Sequence, residues 1–226
     1  MRRELGAMLK FDLYRMRGIF YLAPGAMLYW FVFSHGAEDP MSFASTSFIV
    51  LAIVLIFVVF GRYRRGLDGV LYDILLLRRR VVMISHYLTS LIFVVLHGSF
   101  LAVVLGLRVL LGMGAASGWV AMAVSSLGAA LLSCAVLAPV AVHYGYFTDS
   151  FFKYGYITGL FVFIITVATG MMGCWAALSA MPDSWLMANF PGWLRPWGPW
   201  LLLGLGLVGY LVSLLVSIFI YERQDH

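Results

Sequence analysis

Six long stretches of this chain carry almost no charged side chain, and short polar segments separate them. The apolar runs cover 18–34, 44–61, 86–111, 118–142, 155–180 and 200–221. Each approaches or exceeds the ~20 residues that a helix needs to cross a bilayer. None has the broad polar face of a surface helix. Backbone groups left without hydrogen bonds in lipid are so costly that runs of this kind must be helical. The pattern predicts an all-α fold, an integral membrane six-helix bundle.

Three segments outside the runs have patterns of their own. In residues 1–17, Leu5, Met8, Leu9, Leu13 and Met16 share one helical face, and Arg3, Lys10 and Arg17 lie opposite. This predicts an amphipathic interfacial helix on the membrane surface. Asp12 interrupts its apolar face. The loop 62–85 is far longer than a connection needs and is apolar in its middle (VLYDILLLRRR), which predicts a short cytoplasmic helix. Exposed apolar surface there would dock on a partner or lie on anionic lipid. The segment 181–199 holds four of the chain's seven prolines together with Trp185, Trp193 and Trp197. It reads as an aromatic belt, as a non-helical or short re-entrant cap on the bundle, or as both.

Composition narrows the class further. The chain has 226 residues, 63% hydrophobic and only 11% charged, where a soluble domain has about 25% charged residues. A water-soluble globule, a disordered chain and a disulfide scaffold are excluded. The formal net charge is +5, too sparse for a nucleic-acid surface. Sorted by segment, thirteen of the fifteen basic residues fall on one side of the predicted membrane, and only Arg108 and Arg195 fall on the other. That asymmetry predicts both termini in the cytoplasm of a multi-pass plasma-membrane protein. Five further apolar runs, with no small-residue cleavage pattern after the first, argue against a cleaved signal peptide. Cys134 and Cys174 lie inside apolar runs and read as reduced, packed thiols.

A search for chemistry returns little. There is no H-E-x-x-H, C-x-x-C, G-x-S-x-G or G-x-x-x-x-G-K-[ST]. Gly114–Gly118 reads as a tight turn. The apolar cores carry no carboxylate, the usual mark of proton relays or membrane metalloenzymes. His97 stands in the middle of the third run, a functional candidate by position, with a hydrogen-bonded packing role as the plainer account. Arg108 near the end of that run can snorkel to the interface. Pro139 predicts a kink in the fourth run. Small residues recur every four positions at Gly209, Ser213 and Ser217 and at Gly155 and Gly159, a spacing that lets helices approach closely.

The chain resembles the small six-helix permeases of ABC-2 type exporters. The resemblance rests on the basic leader before the first span and on two motifs. The first is Leu75-Leu76-Leu77-Arg78-Arg79-Arg80 followed by Ser85-His86-Tyr87-Leu88, which looks like the family's coupling segment. The second is Pro139 through His143-Tyr144-Gly145, followed by Asp149 and Lys153. Leu76 stands where the family has proline, and His86 and His143 stand where it has lysine.

The resemblance implies a transport subunit that is not itself an enzyme and holds no cofactor, with ATP and magnesium bound by separate ABC ATPase subunits. It implies a coupling helix at 67–80, with contacts from Asp73, Leu75, Leu76, Leu77, Arg78, Arg79, Arg80, Asp149 and Lys153. His97, Arg108, Pro139 and His143 become candidates for the translocation path. A second permease copy or a paralogue would complete the assembly, and the cargo would be hydrophobic or amphipathic, peptides included. Two alternatives stand beside it. One is the substrate-binding membrane subunit of a vitamin-uptake system; the other is a membrane enzyme acting on lipid or peptide, which the empty motif search disfavours.

Overall fold

The structure, a computed structural model, describes residues 2–15, 49, 52–53, 79–112, 118–144 and 156–223. Within them the chain is helical, with no strand. The elements are α1 (Arg2–Arg15), α2 (Arg79–Leu110), α3 (Trp119–Tyr144), α4 (Tyr156–Ser179), the single turn α5 (Trp185–Ala188), a 3-10 turn (Arg195–Trp197) and α6 (Gly198–Glu222). Among the described residues, four helices are long and apolar enough to cross a membrane: Arg80–Leu107, Trp119–Tyr144, Ile157–Ser179 and Arg195–Glu222. They coincide with the third to sixth predicted spans and mark a membrane-embedded protein. The first predicted span, 18–34, lies outside the described residues. Of the second, only Ile49, Ala52 and Ile53 are described, and all three are helical and buried.

One boundary differs from the sequence reading. The loop was expected to run to residue 85 and the span to begin at 86, but α2 is already helical at Arg79. Its 32 residues make a rod of ~48 Å, well beyond the ~30 Å of hydrocarbon. The extra turns are held by tertiary contacts. Val81, Val82, Met83 and Ser85 are all buried, and α1 packs across this end of the helix.

The core is built around α3, which packs on α2, α4 and α6. The α3–α6 seam is set by glycine. A Cβ on Gly128 would stand 2.6 Å from the Leu203 nitrogen and 2.7 Å from the Leu202 carbonyl carbon. A Cβ on Gly206 would stand 2.5 Å from the Gly128 carbonyl oxygen. The two backbones therefore touch, and no side chain fits between them. Close approach of this kind is how membrane helices gain dispersion contacts when lipid is as apolar as leucine. The predicted small-residue stripe on the last helix also faces inward: Gly209 lies over Leu132 and Ala135, and Ser213 and Ser217 are buried. Pro139 lies inside α3, and the helix continues past it to Tyr144.

Connectivity fixes the two ends of the bundle. At one end Gly106 meets Trp119, Gly118 meets Met181, and Gly198 meets Ala180. The start of α2, the end of α3 and the end of α6 gather at the other end, where α1 docks.

Candidate functional site

The polar groups of the bundle collect at the end that carries α1. On α1, Met8 and Asp12 are buried, while Lys10, Phe11 and Tyr14 are exposed. The carboxylate that interrupts the apolar face is therefore the anchor of the helix. Asp12 Oδ2 accepts the Ser85 hydroxyl at 2.7 Å and the His86 Nδ1–H at 3.1 Å. Asp12 and His86 are both almost fully buried. A buried carboxylate without such donors would cost several kcal/mol, so α1 can sit here only while Ser85 and His86 face it.

These three residue types also occur in hydrolytic triads, but the geometry is different. In a triad the imidazole lies between the hydroxyl and the carboxylate. Here the hydroxyl and the imidazole both end on one carboxylate oxygen, and the Ser85 O–H donates its hydrogen bond to Asp12 and not to His86. The cluster is a helix-docking clamp and not a nucleophile with its base.

At the next residue of α2, on a different face, a second polar seam binds it to α6. Tyr87 Oη lies 2.7 Å from both the Ser213 and the Ser217 hydroxyls. Tyr210 Oη donates to the Tyr87 carbonyl at 2.7 Å, and the two tyrosine rings stand 5.0 Å apart. Ser90 donates to the His86 carbonyl at 3.0 Å. At the rim, Arg80 Nε donates to Glu222 Oε1 at 2.5 Å, joining the first turn of α2 to the last turn of α6. Together these contacts make α1, the base of α2 and the end of α6 one mechanical unit.

The candidates read from the sequence fare unevenly. Asp73, Leu75, Leu76, Leu77, Arg78, Asp149 and Lys153 lie outside the described residues, as does nearly all of the 67–80 coupling segment. Arg79 is the first residue of α2. Arg80 is exposed and paired with Glu222. Arg108 lies in the last turn of α2. His143 is exposed in the last turn of α3, edge-on to the Tyr144 ring at 4.5 Å. His97 is fully buried; its Nδ1–H donates to the Phe93 carbonyl one turn back at 2.8 Å, and its ring stacks on Phe93 at 3.7 Å. One imidazole nitrogen is thus committed to the helix's own backbone, as in a packing histidine. No group of three metal-ligating side chains occurs among the described residues.

Sequence reasoning did not single out Asp12, Ser85, Tyr87 or Tyr210 as partners. The one signal was Asp12 itself, a carboxylate on an apolar face. The serine spacing on α6 predicts a packing stripe; the same two hydroxyls are also the hydrogen-bond partners of Tyr87.

No protein-family model, no curated protein and no solved structure matches the chain.

Proposed function

We propose that the chain is the membrane-spanning permease subunit of an ATP-driven ABC exporter. On this reading it pairs with a second permease copy or a paralogue and is powered by separate ATPase subunits that dock at the 67–80 segment. The cargo is hydrophobic or amphipathic, peptides included. The α1 end of the bundle is then the cytoplasmic end.

The observation that carries the reading is the convergence at that end. Arg80 closes the arginine triplet of the coupling motif and is tied to the end of α6. Ser85-His86-Tyr87, the second part of that motif, holds α1 on one side and α6 on the other. His143-Tyr144, from the other motif, ends α3 at the same end. A push on the coupling segment would reach three helices at once through groups that are already hydrogen-bonded. The vitamin-uptake alternative needs small-residue faces free for a partner, and Gly128, Gly206, Ser213 and Ser217 are used within the chain.

Co-expression with ABC ATPases from the same genome, any encoded beside this gene first, tests the reading. The expected result is that the pair co-purifies, that the permease alone hydrolyses no ATP, and that Arg78→Glu with Arg79→Glu releases the ATPase. Failure of any ATPase to co-purify in the apo, ATP-bound and vanadate-trapped states overturns it.

A further inference from the structure

We propose that residues 181–200 form a lipid-facing platform that seats the end of the bundle remote from α1 in the headgroup zone of the bilayer. The proposal rests on α4 and α6 crossing the membrane, and not on the exporter reading.

The segment is a folded unit. Ser184 caps α5, its hydroxyl accepting the Met187 N–H at 3.2 Å and donating to the Ser179 carbonyl at 2.5 Å. Arg195 reaches back across the turn to the carbonyls of Ala188 at 3.0 Å and Phe190 at 3.3 Å. Met187 tucks against Gly198. The inner side of the hairpin is thereby closed, yet Trp185, Trp193, Trp197 and Trp200 all project outward, 79%, 73%, 57% and 51% exposed.

Two costs decide where such a surface can lie. Four indoles in water would leave a large apolar area hydrated. The same hairpin sunk into hydrocarbon would take with it the exposed, irregular segment 189–193 and the exposed Asp183 carboxylate, each costly there. The headgroup zone alone relieves both, because an indole places its apolar body toward the acyl chains and its N–H toward ester and phosphate oxygens.

Continuity with the spans gives the same placement. The exposed apolar faces of α4 and α6 run through Trp175, Leu178 and Leu201 directly into this tryptophan surface. A short interfacial hairpin, and not a re-entrant one, follows. The charges of the segment, Asp183 and Arg195, cancel, and the Arg195 guanidinium is engaged within the hairpin. The occupant is therefore the interfacial zone of any phospholipid, without preference for anionic headgroups.

Depth-resolved fluorescence quenching tests this in the full chain, reconstituted in phosphatidylcholine vesicles. Trp193 is kept as the sole indole, the other six tryptophans being replaced by Phe. Lipids brominated near the glycerol end of the acyl chain should quench Trp193 at least about twofold more than lipids brominated near the chain terminus, and more than aqueous iodide, as an interfacial indole requires. Adding phosphatidylglycerol should leave the profile unchanged. Dominant iodide quenching, a terminal-bromine maximum or a strong phosphatidylglycerol dependence each overturns the platform. Quenching abolished by protein-protein association in dilution series identifies a second copy as the occupant and overturns it as well.

A control indole at Val208→Trp, on the exposed face of α6, separates this from failure of the membrane reading. It should be quenched by the terminal bromines whatever Trp193 does; iodide quenching at 208 would mean that α6 does not cross the bilayer. Should the single-tryptophan chain not fold, Trp185→Phe and Trp193→Phe, made one at a time in the otherwise intact chain, must each remove part of the shallow-quenched emission.

Discussion

α3 and α4 are similar in length and both apolar enough to span a bilayer, yet 67% of the apolar window of α3 is buried against 22% for α4. Hydropathy, which sorts inside from outside in a soluble protein, does not distinguish them. Residue size does. α3 offers Gly128, Ala129, Ala130, Ser133, Cys134, Ala138 and Ala141 to its neighbours, all buried. α4 turns Phe161, Met171, Met172 and Trp175 outward. When the solvent is itself hydrocarbon, a large apolar side chain gains little by leaving it. A glycine gains by letting two backbones come into contact.

The strongest way to break that comparison is Gly128→Leu. The new side chain would have to displace the α6 backbone, since Leu202 and Leu203 main-chain atoms already stand within 2.8 Å of a Cβ at this position. The expected loss of stability is at or above the ~3 kcal/mol upper end of overpacking costs, read as a fall in the denaturation midpoint in bicelles. Gly204→Leu, where no atom lies within 4 Å of a Cβ, should leave the midpoint close to wild type.

Next in size is Asp12→Ala, which leaves the Ser85 hydroxyl and the His86 Nδ1–H without their acceptor. About 1–3 kcal/mol of docking energy should be lost. Faster amide exchange across α1, with α3 protection retained, would register it. Asp12→Asn keeps one acceptor oxygen and should fall between wild type and Ala.

Tyr87→Phe comes third. It removes the hydroxyl that joins Ser213 and Ser217 while keeping the ring against Tyr210. Hydrogen bonds between membrane helices average about 0.6 kcal/mol, so roughly 1 kcal/mol is expected from the midpoint shift. The smallest effect belongs to α4: Met171→Ala, on a residue 70% exposed, should stay within about 0.5 kcal/mol of wild type. A larger loss would show that this face of α4 is a protein interface and would reverse the contrast with α3.

Much of the described architecture was legible in the chain, because lipid leaves the backbone so few options. The third to sixth spans could be read within a few residues, apart from the early start of α2. That start was hidden because the helix extends beyond the hydrocarbon, where hydropathy no longer reports on it. Docking of α1 and the Arg80–Glu222 pair hold it there instead.

The polar clamp was less legible. Asp12 stands 73 residues from Ser85, and Tyr87 stands 126 residues from Ser213. No local pattern connects positions so far apart. What remained visible was an anomaly: a carboxylate on an apolar face marks a place where a partner is required, without naming it.

By itself, the order of apolar and polar residues determined that this chain is helical, that it belongs in a membrane and where its described spans lie, because unpaired backbone cannot persist in hydrocarbon. Only the tertiary structure decided which of those equally apolar helices forms the centre. It also decided that Gly128 and Gly206 are the contact between α3 and α6, and that Asp12 is the anchor of α1. Those outcomes depend on shape and on distant hydrogen-bond partners, which a one-dimensional pattern of hydropathy does not encode.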